Sequence, residues 1–399
     1  MRSLHQYRAL PAPVTTAIMR FLFVCGAAYV SGLERLTLNL MSELKRQGHE
    51  VVCMVSVWNN GDFVARLRSE RIDHVCARIG FVSKTLTWRA IRATLHQAAF
   101  LPAAWMTYRR LVCRVRPDAI VHTNFHHLAV LWPVLDRRRV VFHVHNTFPE
   151  RKFYRGLFSI LAQRIGRFVA VSHFVRSNLL RIGVPDREVG VVWNGVEDFS
   201  APVENRLTGA PLVVGVVGQV VPWKGHEDLI DALAILREEG RRFRCLIFGA
   251  GEEKFVADLR ARVDRAALSE MVEFRGFCAR VDQIFAELDV CVVPSRFEEP
   301  FGLVAAEAGM AGLPVVVTRR GGLPEIVQDE ETGLVVSANA PRELADALGR
   351  LIDDRRTAGR LGVAARVWVG SRFTREAMMR DFVRELAPYA TANGPGIPT

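Results

Sequence analysis

The sequence predicts an α/β protein of two doubly wound, Rossmann-like domains that face each other across a central cleft. Three observations carry this expectation. The chain has 399 residues, more than one ordinary α/β core of roughly 100 to 200 residues accommodates. Short apolar runs without polar alternation recur between longer helical patterns, which suits parallel strands covered on both faces. That grammar stops at 196–211, VEDFSAPVENRLTGAP, a stretch with no period and many turn formers, and then restarts.

Taken in order, residues 1–17 carry no apolar period, and 1–18 are expected to form a disordered extension outside the cores. The run 21–30 is far shorter than the ~18 residues a spanning helix needs. Ala27 and Ala28 follow it as small residues follow a leader peptide, but a strand-turn-helix pattern continues from it, so it reads as the first core strand, 20–25. Further strands of a first domain, 19–198, are expected at 50–57, 119–122, 140–145, 168–171 and 190–193. Residues 199–211 are the expected linker. A second domain, 212–372, restarts with strands at 212–217, 244–248, 272–274, 290–293 and 315–318. A closing helix is expected at 373–390 and a disordered tail at 391–399, which reads TANGPGIPT. Sheets of this kind bind ligands beyond their strand carboxyl ends, so two of them put a cleft at the domain boundary.

Composition narrows the class. Half the residues are hydrophobic and 24% are charged, a globular balance that excludes extended disorder. The seven cysteines are scattered and never spaced as CxxC, which disfavours a disulfide framework and a zinc site; they read as small buried hydrophobes in a reducing, cytoplasmic compartment. Residues 1–200 hold 28 Lys and Arg against 13 Asp and Glu. Nucleic acid, an anionic membrane and an acidic substrate are the usual partners of such a field. No zinc-finger, RNA-recognition or helix-turn-helix pattern appears, so nucleic acid is not expected. The segment 84–116 sets Lys84, Arg89, Arg92, Arg109, Arg110, Arg114 and Arg116 among Trp88, Phe100, Trp105 and Tyr108. That is the composition of an interfacial surface, and it predicts peripheral contact with the inner face of the cell membrane.

The most informative segment is PSRFEEPFGLVAAEAGMAGLPVVVTRRGGLPEIV, 294–327. A strand ends in a Pro-Ser turn and a helix begins after Phe301-Gly302. Glu299 stands at the helix mouth and Glu307, eight residues on, is expected about two turns in. Free amides at the helix start, around Gly302 and Leu303, form a phosphate cradle, and a nearby carboxylate can accept hydrogen bonds from sugar hydroxyls. At 213–233, VVGVVGQVVPWKGHEDLIDAL, Lys224 sits in the loop before a helix and can neutralise a diphosphate. Gly249 and Gly251, in FGAGEE, are expected to shape a turn and permit close packing. Histidines cluster at strand ends: His122, His143 and His145, with His126 and His127 unassigned. No third ligand is assignable to a metal site from the strand pattern, so none is expected. CGAAYVSG, 25–32, lacks the GxGxxG of a nicotinamide-binding strand-turn-helix, which argues against a dehydrogenase.

With Glu299, Phe301, Gly302 and Glu307 in place, and with Gly321-Gly322, Glu325 and Thr332-Gly333 following, the sequence resembles family 4 of the retaining GT-B glycosyltransferases. Matching motifs extend from about residue 20 to 385, including AVSHFVRSNLL (170–180) and VVWNGVE (191–197). The resemblance implies a nucleotide diphosphate sugar as donor and co-substrate, with no further cofactor, and GT-B architecture. Glu299 would contact the donor sugar, Glu307 the ribose hydroxyls, and Lys224 the diphosphate. Gln219 stands where the family carries an arginine, so one usual cation is missing. Gly32, in a Ser31-Gly32 turn where two glycines are common, would face the donor. His145 takes the place of the cleft histidine near the transferred sugar, with His122 as its neighbour. Arg280, in GFCARVD, is the candidate for stacking on the base. FTREAMMRDFVREL, 373–386, resembles the closing helix that returns to the first domain. Absence of a DxD motif gives no indication of a divalent cation, and front-face displacement is the implied route. The acceptor is unidentified, a lipid-linked or cell-surface polysaccharide precursor being expected. A GT-B nucleotide-sugar epimerase and a noncatalytic sugar-binding relative stay open as alternatives.

Overall fold

The computed structural model describes residues 18–26, 30, 32–79, 99–198 and 210–392. The expected extension at 1–17, Ala27, Ala28 and Ser31, residues 84–98 of the basic segment, residues 199–209 of the linker and residues 393–399 of the tail lie outside the described residues. Two parallel sheets result. The first runs through β1 (Arg20–Cys25), β2 (Glu50–Ser56), β3 (Asp73–Ala77), β4 (Ala119–His122), β5 (Val140–Val144), β6 (Arg167–Ala170) and β7 (Val189–Val191), in the spatial order β3-β2-β1-β4-β5-β6-β7. The second contains β8 (Leu212–Val217), β9 (Phe243–Phe248), β10 (Val272–Gly276), β11 (Val290–Val293), β12 (Val315–Thr318) and β13 (Gly333–Val336), in the order β10-β9-β8-β11-β12-β13. Each sheet therefore reverses its winding once, between β1 and β4 and between β8 and β11. A crevice opens beyond the strand ends at such a reversal.

β3 and β13 were not anticipated from the apolar runs. Both lie at sheet edges, and β3, DHVCA, is largely exposed or half-buried, so it lacks the continuous apolar signature of a strand covered on both faces.

Helices flank both sheets. In the first domain they are α1 (Gly32–Arg46), α2 (Asp62–Ser69), α3 (Leu101–Val115), α4 (Phe125–Leu131), α5 (Lys152–Leu161) and α6 (His173–Arg181). The second has α7 (His226–Glu238), α8 (Glu253–Arg265), α9 (Val281–Ala286), α10 (Leu303–Met310), α11 (Leu323–Ile326), α12 (Pro341–Asp353) and α13 (Arg355–Arg372), and the chain continues as α14 (Arg375–Ala392). Local chemistry sets several starts. Asn124 caps α4 by accepting from the His126 amide at 2.9 Å, Ser172 caps α6 through the Val175 amide at 3.0 Å, and Pro341 opens α12, where its missing N–H costs nothing.

Alternate residues of the first sheet supply two cores. Leu22, Val24, Ile120 and Phe142 pack with Tyr108, Leu128 and Phe158 on one face. Phe21, Phe23, Val121 and Val141 pack with Met41, Met378, Phe382 and Leu386 on the other. α14 is thus part of the first domain's core although it follows the second in sequence. Each such buried side chain contributes about 1.5–3 kcal/mol relative to exposure, enough together to hold the helix there. α14 includes residues 391–392, which composition alone assigned to the tail.

Two further expectations need correction. Tyr108 is buried (1% exposed) and Trp105 is half-buried, its indole donating to the Val130 carbonyl at 2.8 Å. The aromatics of the described part of the basic segment thus hold α3 on the domain, while Arg109, Arg110, Arg114 and Arg116 face solvent. Of the cysteines, Cys25, Cys53, Cys245 and Cys291 are buried, but Cys76 and Cys113 are exposed and Cys278 is intermediate.

Candidate active site at the two strand reversals

The loop after β8 and the loop after β11 meet at the reversal of the second sheet. Gly225 ends the first with φ 74°, and a Cβ there would lie 1.9 Å from the Pro294 carbonyl oxygen; only glycine lets the two loops touch. The Arg296 amide donates to the Trp223 carbonyl at 2.8 Å, and its guanidinium grips Asp228 at 2.7 and 2.9 Å. This clamp positions Lys224. Its ammonium lies 4.4 Å above the Trp223 ring and donates to Glu299 Oε1 at 2.5 Å, and Ser295 Oγ donates to the same oxygen at 2.6 Å. Lys224 and Glu299, 75 residues apart, are therefore one unit. Gln219 is exposed in the same loop as Lys224. A Cβ at Gly249 would sit 1.7 Å from the Gly218 carbonyl oxygen and one at Gly251 2.0 Å from that of Val220, so both serve close packing of the β8 and β9 loops.

Gly302 starts α10 with φ 107°, and a Cβ there would stand 2.6 Å from Leu323. Gly302 offers no side-chain cap, so the first-turn amides of α10 and their dipole are left uncapped at the helix start. Phe301 is 3% exposed with its ring edge-on to Phe373 at 5.8 Å, so its side chain is structural. Leu303 approaches the first domain, where a Cβ on Gly32 would be 3.6 Å from its Cδ1. Glu307 is the fifth residue of α10, just over one turn in rather than two, because the helix begins only at Leu303. Burial pushes its carboxyl up to about 7, against the pull of Arg35 and Arg375, with Glu197 adding to the rise. Arg35 Nη2, on α1, is 3.9 Å from Glu307 Oε1, and Arg375 is paired with Glu197 at 2.9 Å.

On the first-domain side, His145 follows β5 and keeps part of its surface exposed. Its ring lies 4.1 Å from that of His143, tilted by 60°, and His143 in turn meets Phe382 of α14 at 5.3 Å. Burial, and secondarily His143, hold the His145 imidazole well below its ordinary range. It is neutral near pH 7 and able to hydrogen-bond a hydroxyl without adding charge. His122 is not its neighbour. β4 and β5 pair His122 with Phe142, which places His122 with Tyr108 on one face of the sheet, at 6.3 Å between ring centroids, and His143 with Phe382 on the other. Buried completely, His122 is held down to about 3. Arg280 lies outside the Lys224–Glu299 unit, exposed before α9, with its guanidinium held by Asp282 at 2.6 and 2.9 Å. Among the described residues, no group of three or more His, Cys, Asp or Glu side chains is arranged to hold a metal ion.

Sequence reasoning missed the clasp between the domains. Glu325 accepts from the His173 and Phe174 amides of α6 at 2.9 and 2.7 Å and from the Trp193 indole at 3.1 Å. Ser172 Oγ donates to the Pro300 carbonyl at 2.5 Å. A carboxylate of the second domain thus caps a helix of the first, next to Glu299 and Phe301. A serine ahead of the helical pattern 173–181 is the local signal of a cap; its partner Pro300, 128 residues away, leaves no such signal.

Two family models match the chain. One described as Glycosyltransferase Family 4 covers residues 30–198, and one described as Glycosyl transferases group 1 covers 200–368. Over 195 residues the chain is 36% identical to the D-inositol 3-phosphate glycosyltransferase of Corynebacterium glutamicum, covering 45% of this chain and 46% of that protein. It is 34% identical over 191 residues to the GDP-mannose-dependent alpha-(1-6)-phosphatidylinositol monomannoside mannosyltransferase of Mycobacterium tuberculosis, covering 45% and 49%. These matches span about half the length of the curated relatives. Among solved structures, HepE of Anabaena in complex with UDP superposes with a TM-score of 0.76 at 21% identity, covering 93% of this chain and 100% of that one. Sucrose-phosphate synthase of Thermosynechococcus elongatus superposes with a TM-score of 0.76 at 20% identity, covering 94% and 100%. The fold is GT-B.

Proposed function

We propose that this chain, which belongs to glycosyltransferase family 4, transfers a sugar from a nucleotide diphosphate to an acceptor carried on a lipid or a cell-surface polysaccharide precursor, with retention and without a divalent cation. The observation that carries this reading is the Lys224–Glu299 unit beside the open amides of α10, at the one place where the second sheet reverses. An ammonium has three donors. One goes to Glu299, which orients Lys224 and leaves the others for diphosphate oxygens. The amides at Leu303 and beyond add an uncharged cradle. Protein assistance of this kind is positional and electrostatic: it stabilises charge that grows on the diphosphate as the glycosidic bond breaks, and the departing phosphate takes the acceptor proton.

Glu307, with its carboxyl near 7, can both donate to and accept from a ribose diol. His145, neutral and on the opposite wall, suits a hydroxyl of the transferred sugar. The mannosyltransferase relative acts, by its name, on a phosphatidylinositol mannoside, which supports a lipid-borne acceptor and a cytoplasmic enzyme at the membrane surface; among the described residues no helix is long and apolar enough to cross a membrane.

The test is nucleotide release from a panel of UDP- and GDP-sugars by the purified chain, with and without extracted membrane lipid. Release from one donor, accelerated by lipid and accompanied by a glycosylated lipid product, is expected. If no donor releases nucleotide under either condition, the reading fails. Epimerised donor in place of a transfer product favours the isomerase alternative.

A further inference from the structure

α5 turns an apolar line outward. Phe153 is 71% exposed and Ile160 51% exposed, whereas Phe158 and Leu161 on the inner side are buried. Phe153, Gly156 and Ile160 stand at i, i+3 and i+7, one line of about 10 Å along the helix; a Cβ at Gly156 would meet nothing within 4 Å. Apart from the edge-on contact of Phe153 with its neighbour Tyr154 at 5.4 Å, no ring contact among the described residues covers these apolar side chains. Arg151, Lys152 and Arg155 are exposed along the same helix, and Arg138 is exposed beyond the helix's far end. Among the described residues none of these four forms an ion pair, although Arg137, Arg167, Arg176 and Arg181 nearby do. The neighbouring helices extend the surface. The Trp132 indole donates to the Ile160 carbonyl at 3.1 Å and the Trp105 indole to that of Val130 at 2.8 Å, so α3, α4 and α5 lie side by side, with Arg109 and Arg110 exposed on α3.

We propose that this face, centred on α5, docks on an anionic bilayer, with Phe153 and Ile160 entering the interface and the unpaired cations around them facing lipid phosphates. An apolar line flanked by basic side chains is the chemistry of interfacial binding, and cations without protein partners are the complement of an anionic surface. The location gives the contact a purpose. α5 begins a few residues after β5 and His145, and the intervening turn is fixed by Asn178, which accepts from the Phe148 amide at 2.8 Å and donates to its carbonyl at 2.9 Å. A bilayer under α5 therefore lies beside the acceptor edge of the cleft, where a lipid-borne head group can reach His145. The purpose rests on the glycosyltransferase reading; the binding itself does not.

Sedimentation of the full-length chain with vesicles of phosphatidylcholine and phosphatidylglycerol, without donor, tests the surface. Binding at low salt, weakening as salt rises and nearly absent from vesicles of phosphatidylcholine alone, is expected. Lys152→Gln with Arg155→Gln should weaken it about twentyfold, since each basic residue near an anionic surface contributes about a fivefold factor. Phe153→Ser with Ile160→Ser should weaken it at least tenfold, while its melting temperature and its donor-hydrolysis rate stay those of the parent. Absence of binding to anionic vesicles overturns the proposal, as does binding that neither double variant changes. A dimer that Phe153→Ser with Ile160→Ser converts to monomer, in a chain that ignores vesicles, would assign the face to a second copy instead.

Discussion

The first sheet ends its central strands in histidines that are buried and uncharged, whereas the second ends them in loops tied together by ion pairs. His122, His127 and His143 are pushed down to about 3 or 4 by burial, and His145 also lies well below its ordinary range. At the equivalent reversal of the second sheet, Lys224 meets Glu299 and Arg296 meets Asp228. Outer surfaces differ in the same sense: among the described residues the exposed cations of α3 and α5 form no ion pair, while Arg241, Arg262 and Arg350 of the second domain each hold a carboxylate. Under the proposed function, the two similar frames would serve different ligands: a neutral wall can hold a hydroxyl-bearing molecule without competing charge, and a preorganised ion pair suits a diphosphate.

Acid should expose this difference most strongly. A histidine held below its ordinary value binds no proton in the folded chain where the unfolded chain does, so stability is present above about 6.5 and is lost as pH falls toward the folded values. Among the described residues five such rings, His49, His122, His127, His143 and His145, lie in the first domain and only His226, pushed down to about 4, in the second. Hydrogen exchange compared at pH 7 and at about pH 5 should therefore show β4 and β5 losing protection before β8 and β11, by several kcal/mol of summed linkage. Simultaneous loss in both sheets would erase the contrast.

Next in size is the second sheet's ion pair. Lys224→Ala should lower turnover about a hundredfold with saturating donor, the scale of removing one preorganised charge stabiliser. Gln219→Arg should recover part of that loss by returning a cation to the exposed side of the loop. Near-normal turnover in Lys224→Ala would leave Lys224 as no more than a structural partner of Glu299.

The clasp joins the two halves, and Glu325→Ala removes three acceptor contacts at once. A loss of about 2 kcal/mol is expected from charge-assisted hydrogen bonds of this kind, read as a lower melting temperature and as faster exchange of the His173 and Phe174 amides. Unchanged exchange at those amides would mean that the domains are held elsewhere.

The smallest effect concerns Glu307, whose carboxyl rises to about 7. Between its ordinary value and 7 the folded chain binds a proton that the unfolded chain has lost, so this group's contribution to stability falls as pH rises through that window. Glu307→Gln should flatten that slope, by on the order of 1 kcal/mol given the neighbouring arginines and residual solvent access. An identical pH slope in the variant would show that Arg35 and Arg375 already keep the carboxylate ionised.

Two tandem α/β sheets and the start of α10 after Gly302 were legible because burial on both faces writes itself into short apolar runs and a helix start into its local residues. Edge strand β3 was not, since a half-exposed strand carries no such run; β13 is mostly buried, but its apolar run is only three residues after a glycine. The separation of His122 from His145 depended on strand register, which local sequence does not state. Only the tertiary structure joined Lys224 to Glu299, Ser172 to Pro300 and Glu325 to α6, and seated α14 in the first core. Those pairings depend on strand order: right-handed crossovers from a central first strand bring β11 beside β8 across two intervening strands. Periodicity determines which side chains are buried; the winding of the chain determines which of them meet.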